Sequence, residues 1–377
     1  VDDDILEIWP EVNISPFGVV NKGSEDPQTS GRVIHDLSYP ANSSLNDLTD
    51  RTAVCSTHYE HCDAVAAEIV RQRVQHPGSD IKEQAGDVAS AYRHVCIHSH
   101  NAYLFGGRLH RDNALVIDMS AAFGWSGSPG NYGAIGGAIS FIHGHTTNEL
   151  NPRGFFNYHW VDDHVNVGVD VGSNCQDIEL SLRFAMVLVL GPAAINEEKF
   201  TGWNSRLKAL GLIFDSVAGT VSMPPEKVTK AITIVTASLS RTTLRRSEYQ
   251  SILGCLRHVA TCVRPARAFL QRLRQQERYL HRHHVVTITN DMKEDLHWWL
   301  HILRSAPLNG VPLDFFRSLP AADITVVMDA SDVGLCAIIS SAKVALTYSF
   351  NAIEQQLIQR SKALPSTGFD INYRELL

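Results

Sequence analysis

Asp162 and Asp163 stand side by side inside Tyr158-His-Trp-Val-Asp-Asp-His-Val-Asn-Val167. Apolar and aromatic residues lead in, and Val165, Val167 and Val169 then alternate with polar neighbours. Period-two alternation on both sides of a polar break predicts a β-hairpin with the two carboxylates at its tip. Adjacent ionised carboxylates repel, and a divalent cation held by hard oxygen ligands removes that cost. A polar turn is the simpler reading of two residues in isolation. Asp87 supplies a third carboxylate, in Ala85-Gly-Asp-Val-Ala-Ser-Ala-Tyr-Arg93, where a strand would hand over to a helical turn.

A second chemical signal is charge. The chain of 377 residues carries a net −7, yet ten arginines face only two glutamates between Arg241 and His284. A local basic surface of this kind binds phosphates even when the whole-chain sum is acidic. His58, His61 and Cys62 offer zinc ligands, but no second pair at ligand spacing follows them. Seven scattered cysteines, an odd number, fit reduced thiols in an intracellular protein of cytoplasm or nucleus better than a disulfide framework.

Hydrophobic content of 44% and charged content of 19% are those of a globular protein with real cores. No apolar run approaches eighteen residues, which argues against a membrane span. The opening Val-Asp-Asp-Asp lacks the basic region of a signal peptide and an initiator Met, which suggests a fragment or a processed product.

Along the chain, turn formers in residues 1–50 flank Val19-Val20 and Val33-Ile34, which predicts a hairpin reaching from Lys22 to Arg32. Residues 60–76 read as an amphipathic helix stopped by Pro77-Gly78, and 94–105 as a strand. The nearly uncharged stretch 121–143 is a glycine-rich loop opening a small-residue helix near Pro129. An apolar helix covers Leu180 to Leu190, and Leu210 to Asp215 is a strand entering a turn. Ser247-Glu-Tyr-Gln250 has capping-box spacing and starts a helix that Pro265 interrupts, with Arg267, Arg274 and Arg278 near one face of its continuation. Residues 306–322 hold three prolines and read as a linker. Two strands follow, Ile324 to Ser331 and Leu335 to Ser340.

In this order the motifs resemble a reverse transcriptase followed by a ribonuclease H domain. Ser15-Pro-Phe-Gly-Val-Val-Asn-Lys22 and Arg32-Val-Ile-His-Asp-Leu-Ser38 resemble the fingers motifs. Asp87 with Tyr92 five residues on resembles the first palm motif, Phe123-Gly-Trp-Ser-Gly-Ser-Pro129 the second, and Trp160-Val-Asp-Asp163 the third. Lys199 and Leu210-Gly211 fit the two later palm motifs, and Leu253-Gly-Cys-Leu-Arg-His258 with Val263-Arg-Pro265 looks like a retroelement thumb. Met328-Asp-Ala-Ser331 and Tyr373-Arg-Glu-Leu376 resemble the opening carboxylates of ribonuclease H. Many retroviral enzymes have Gln where this chain has Phe123 and a basic residue where it has Ser126. The Phe-Gly-x-x-x-Pro form resembles retroelements of the tyrosine-recombinase (DIRS-like) class.

The resemblance implies an α+β right-hand polymerase. Fingers would cover 1–59 and 99–127, palm 60–98 and 128–222, thumb 223–305, linker 306–322, and a partial ribonuclease H-like domain 323–377. It implies an RNA-directed DNA polymerase that extends a primer on an RNA or DNA template with deoxynucleoside triphosphates. Asp87, Asp162 and Asp163 would hold two Mg²⁺ ions, with Mn²⁺ as the alternative. Lys22 and Arg32 would fold over the triphosphate, backbone N–H groups of Val88 and Ala89 would reach phosphate, and Lys199 would assist pyrophosphate departure. Tyr92 would lie under the sugar and exclude a 2′-hydroxyl, beside Phe123. Arg257, Arg264, Arg267, Arg274 and Arg278 would grip primer–template phosphates. Asp329 and Glu375 would be ribonuclease H metal ligands, their partners falling beyond Leu377, so that RNA cleavage is not expected. A recombinase or integrase encoded by the same element is the implied companion. Rival readings are an inactive relic that binds nucleic acid, and an RNA-directed RNA polymerase.

Overall fold

Turn residues divide the first fifty positions into short pieces, and the computed structural model joins them as the spacing predicts. Helical turns Ile5–Ile8 (α1) and Leu45–Leu48 (α2) flank strands Phe17–Val20 (β1) and Arg32–His35 (β2). The two strands pair antiparallel with Val20 opposite Arg32. The structure describes residues 1–2, 4–20, 26, 29–277, 280, 285–305, 309–316 and 322–363. Lys22, Arg278 and Glu375 lie outside the described residues, as does the side chain of Arg264.

Helix Asp63–Gln75 (α3) buries Val65, Ile69 and Val70, and Gly78 at φ +84° turns the chain after it. Strand Ile81–Asp87 (β3) follows. The run 94–105 is not a strand. It forms 3-10 turns, Ala91–His94 and Ser99–Phe105, the second started by His98, whose ring accepts the His100 N–H. Such local side-chain bonding competes with strand pairing. The hairpin lies just beyond it, Gly106–Leu109 (β4) against Ala114–Ile117 (β5).

Helix Ser128–Gly144 (α4) begins at the expected proline and is followed by strands Tyr158–Trp160 (β6) and Asp163–Val169 (β7). Helix Asn174–Leu190 (α5) starts earlier than its apolar run suggests. Strands Arg206–Ala209 (β8), Leu212–Asp215 (β9) and Thr220–Ser222 (β10) form a meander, so Leu210–Gly211 is a hairpin turn between two strands. Helix Pro225–Leu239 (α6), strand Thr243–Arg245 (β11) and helix Arg246–Cys262 (α7) come next. Glu248, not Ser247, makes the cap of α7 by accepting the Arg245 N–H at 2.8 Å. The chain then continues as a 3-10 stretch, Arg264–Leu270, and a separate helix Gln271–Glu277 (α8), so Arg267 and Arg274 belong to different elements. Strand Val285–Thr287 (β12), helix Asn290–Arg304 (α9) and the short strand Val311–Pro312 (β13) complete the first of two compact units, Val1–Arg317.

Two sheets organise that unit. One is three-stranded and antiparallel, in the order β3-β7-β6, and the other runs β13-β10-β9-β8. Val165, Val167 and Val169 project from one face of the first sheet into a core shared with Val65, Ile69, Phe214, Leu256 and Trp299. This core ties α3 to the second sheet and to α6, α7 and α9. The opposite face carries a smaller cluster under α4 and α5, with Tyr132, Ile139, Leu182 and Met186.

The second unit, Ser318–Leu377, holds an antiparallel sheet of Val327–Ala330 (β14), Gly334–Ile339 (β15) and Val344–Ser349 (β16), then helix Ala352–Ala363 (α10). The third strand and the helix go beyond the two strands read from the sequence.

Candidate active site

The register of one hairpin assembles the carboxylates. Trp160 pairs with Asp163, leaving a two-residue turn of Val161 and Asp162. On its other edge β7 pairs with β3 so that Asp163 lies directly opposite Asp87. The Val88 N–H donates to the Asp162 carbonyl oxygen at 3.0 Å and locks the turn to the end of β3. Val161 sits at φ +55°, a conformation that costs a β-branched residue energy and that persists only where the surroundings impose it. Ser90 (φ +53°) and Leu210 (φ +54°) are strained in the same sense at the two flanking turns.

Asp87 is almost fully buried, and its carboxylate is held on both oxygens. Asn196 donates Nδ2 to Oδ1 at 2.6 Å, and Lys199 Nζ lies 2.9 Å from Oδ2. Asn196 also donates its backbone N–H to the Asp87 carbonyl. Nothing in the sequence marks Asn196, although it falls in the same Ile195-to-Lys199 stretch as the lysine. Lys199 thus reaches the Asp87 carboxylate while more than half of its side chain stays exposed.

Asp163 opens onto a cleft but is crowded by protein. Burial in that cleft, then the charges of Asp162 and Asp87, push its pKa up to about 6. Burial raises the Asp162 pKa and Asp87 adds to it, against a hydrogen bond from its own backbone N–H and smaller pulls from Lys199 and Arg32. Burial works against the charged form of Lys199, but its bond to Asp87 and the neighbouring carboxylates outweigh it and raise its pKa. The donor set is therefore oxygen-rich, self-repelling and already matched to one cation, the ammonium on Asp87. Those features fit hard divalent ions.

Aromatic rings line the Asp162 side. Tyr92, half-buried, lies 4.8 Å from the Phe123 ring and 6.0 Å from the Tyr132 ring. Arg32 stands over the outer side of Phe123, its Cζ 5.1 Å from the centroid. Gly124 follows Phe123 at φ +128°, and a Cβ there would fall 1.8 Å from the His35 carbonyl oxygen. Only glycine permits that approach, which accounts for the Phe-Gly pair. Tyr132 and Tyr59 complete the aromatic wall, each with a buried hydroxyl lacking a partner among the described residues. Neither stands out in the sequence.

The backbone N–H groups of Val88 and Ala89 are not open to phosphate. They donate to the carbonyl oxygens of Asp162 and Ala194, because the strand ends are stitched to one another there.

On the Asp163 side a cleft of about 350 Å³ runs from Asp87, Asp163 and Lys199 to the Leu210–Gly211 turn. Both turn residues have positive φ, as a two-residue hairpin of primed type requires. His258 Nε2 lies 3.1 Å from the Gly211 oxygen, so the α7 motif clamps this turn.

The basic segment is less uniform than its composition. Arg257 is ion-paired with Glu277, and Arg272 with Asp295 at 3.3 Å. Arg267 and Arg274 are exposed and have no acidic partner among the described residues. His61, Cys62 and Asp63 bring ligand atoms within 4.8 Å of one another at the start of α3, and His58 is not among them. In the second unit Asp329 is exposed on β14 and accepts the Ala330 N–H.

No family model matches the chain, and no curated protein matches it. Solved structures of foamy viral protease-reverse transcriptase do. The first, a dRH form in complex with double-stranded DNA, aligns with a TM-score of 0.55 and 14% identity over 96% of this chain and 56% of its own. The second, with an RNA/DNA hybrid, gives 0.52 and 13% over 96% of this chain and 43% of its own. A third, with double-stranded DNA, gives 0.51 and 14% over 94% of this chain and 66% of its own. The chain thus spans about half the length of the first two structures it resembles, and at these identities the likeness is one of fold: mixed helix and sheet of reverse transcriptase type. No helix among the described residues is long and apolar enough to cross a membrane.

Proposed function

We propose that the chain is an RNA-directed DNA polymerase of a retroelement, of the tyrosine-recombinase class by its Phe123-Gly motif, that adds deoxynucleotides to a primer 3′ end. One observation carries the reading: two adjacent strand ends set Asp87 opposite Asp163 in one cleft with Lys199, and the turn beside them carries Asp162. Folding gains nothing from crowding these charges, and the strained Val161 turn that presents Asp162 adds to the cost.

Asp87, Asp162 and Asp163 would hold two Mg²⁺ ions, which when bound activate the primer hydroxyl and neutralise charge on the leaving phosphates. The chain's own groups supply position. Arg32, braced on Phe123, faces the triphosphate side with a planar donor fork suited to phosphate oxygens. Tyr92 lies beneath the sugar, its neutral phenol maintained by burial and by the Asp162 charge. The Leu210–Gly211 turn and its cleft receive the primer end. Arg267 and Arg274 hold duplex phosphates. The β14–β16 sheet with Asp329 is read as ribonuclease H-like.

Primer extension on RNA and DNA templates with Mg²⁺ tests the proposal. Wild-type protein should incorporate deoxynucleotides, and Asp162→Asn should lower the rate at least a thousandfold while duplex affinity changes less than threefold. Binding without extension by the wild type would make the chain a relic. Equal use of ribonucleotides would favour an RNA-directed RNA polymerase.

A further inference from the structure

The outward face of α5 is apolar where a surface helix is ordinarily polar. Leu180, Phe184 and Leu188 recur every fourth residue and are 64%, 61% and 60% exposed, and Phe141 on the adjoining α4 is 63% exposed. The inward face of α5 already buries Ile178, Leu182, Ala185 and Met186, together with a few bonded polar groups. Ser181 shares a hydrogen bond with buried His143 at 2.9 Å, and His143 continues through Asn166 to Gln84 of β3. The helix is therefore apolar on its buried face and apolar again on the face it turns outward. A helix apolar on its outer face as well belongs in an interior.

The charges nearest the stripe leave it open. Arg183 folds away onto Glu179 and Glu197, with its Cζ 3.9 Å from the Phe200 ring. Four large side chains at this exposure offer roughly 500 Å² of contiguous apolar surface, the upper range for a lone protein. Two such faces opposed would bury roughly 1,000 Å², the size at which a specific interface begins.

We propose that this face joins two copies of the chain about a two-fold axis through Phe184. The sequence of the stripe is its own mirror about that residue: Leu180, three residues, Phe184, three residues, Leu188. A two-fold axis there sets α5 antiparallel to its mate, stacks Phe184 on Phe184 and places each Leu180 against the Leu188 of the other copy. The contact is isologous and closed, so it makes dimers and not fibres. Antiparallel apposition also brings the positive end of each helix dipole beside the negative end of the other.

Sedimentation equilibrium of the 377-residue chain from nanomolar to micromolar concentration is the test. Wild-type protein should show a monomer–dimer equilibrium. Phe184→Glu and Phe184→Lys, both at an exposed position, should each raise the dissociation constant at least a hundredfold with an unchanged melting temperature. Mixing the two variants should restore the dimer, because opposite charges then meet on the axis. A wild type that stays monomeric overturns the proposal and leaves the face to a different protein. A dimer indifferent to Phe184→Glu overturns it, as do two monomeric variants that fail to recombine.

Discussion

Asp162 and Asp163 are neighbours in sequence but do different work in the fold. Asp163, the first residue of β7, meets Asp87 across the sheet and faces the cleft, whereas Asp162 occupies the turn and lies toward Tyr92 and Arg32. The tight Val161–Asp162 turn takes Asp162 out of the ladder, so strand alternation does not set its direction and the two carboxylates serve different sides of the hairpin end. Tyr92 belongs to the same neighbourhood. It touches Phe123 on one side and the buried Tyr132 on another, so it is at once part of a small aromatic cluster and the ring nearest the reacting sugar in the proposed reaction. Tyr92→Val should cost about 1 kcal/mol of stability because Phe123 and Tyr132 then have no ring to pack against there. If Tyr92 is the gate, discrimination against ribonucleotides should fall roughly tenfold or more, mainly through better ribonucleotide use. Single-nucleotide incorporation with both sugars, on protein of verified melting temperature, separates the two effects. A parallel drop in both substrates would reduce Tyr92 to a packing role.

Elements with a strong local pattern were legible in the sequence; those defined by distant partners were not. The Asp-Asp hairpin, the proline-started α4 and the helix Asp63–Gln75 each follow from periodicity and a start or stop residue. Asn196 and the Lys199–Asp87 pair were hidden because they depend on a segment more than a hundred residues from Asp87 folding back over it. The run 94–105 misled because its apolar content suits a strand while its histidines bond locally. The basic segment shows the same limit. Counting arginines gives a basic face, but Arg257 is committed to Glu277, and the change from the 3-10 stretch to α8 after Leu270 separates Arg267 from Arg274. Replacing Arg267 and Arg274 together by Ala should weaken primer–template binding about equally across sequences. The slope of log affinity against log salt should flatten by roughly 0.7–0.9 for each phosphate that is no longer neutralised. Arg257→Ala, by comparison, should change that slope little and act through stability. A salt series by fluorescence anisotropy decides, and equal slopes for the double variant and wild type would move the nucleic acid to another surface.

The stability of the first unit as a whole should carry the signature of one buried acid. Glu83 lies on the face of β3 that carries Ile81 and Ala85 into the main core, at 0% exposure. Neither carboxyl oxygen has a hydrogen-bond partner among the described residues, and the nearby Ser216 hydroxyl lies within hydrogen-bond distance of the carbonyl oxygens of Ile81 and Ser205. Burial is the main cause that raises its pKa from 4.5 to about 8; Asp215 adds to it and Ser216 opposes it. The folded chain therefore keeps this proton where the unfolded chain releases it. Because the unfolded state binds fewer protons between pH 4.5 and 8, folding stability falls with rising pH across that window and levels off above it. Relative to acid pH, Glu83 alone should lower stability at neutral pH by roughly 3 kcal/mol. Glu83→Gln keeps the shape and removes the proton, so its unfolding free energy should lose this slope. Urea unfolding of both proteins at half-unit steps from about pH 5 to about pH 8.5 spans the window and measures the difference. Parallel curves would mean that the folded chain ionises Glu83 at its ordinary pKa, through water or a movement of β3. Such a movement would in turn loosen the register that sets Asp87 opposite Asp163.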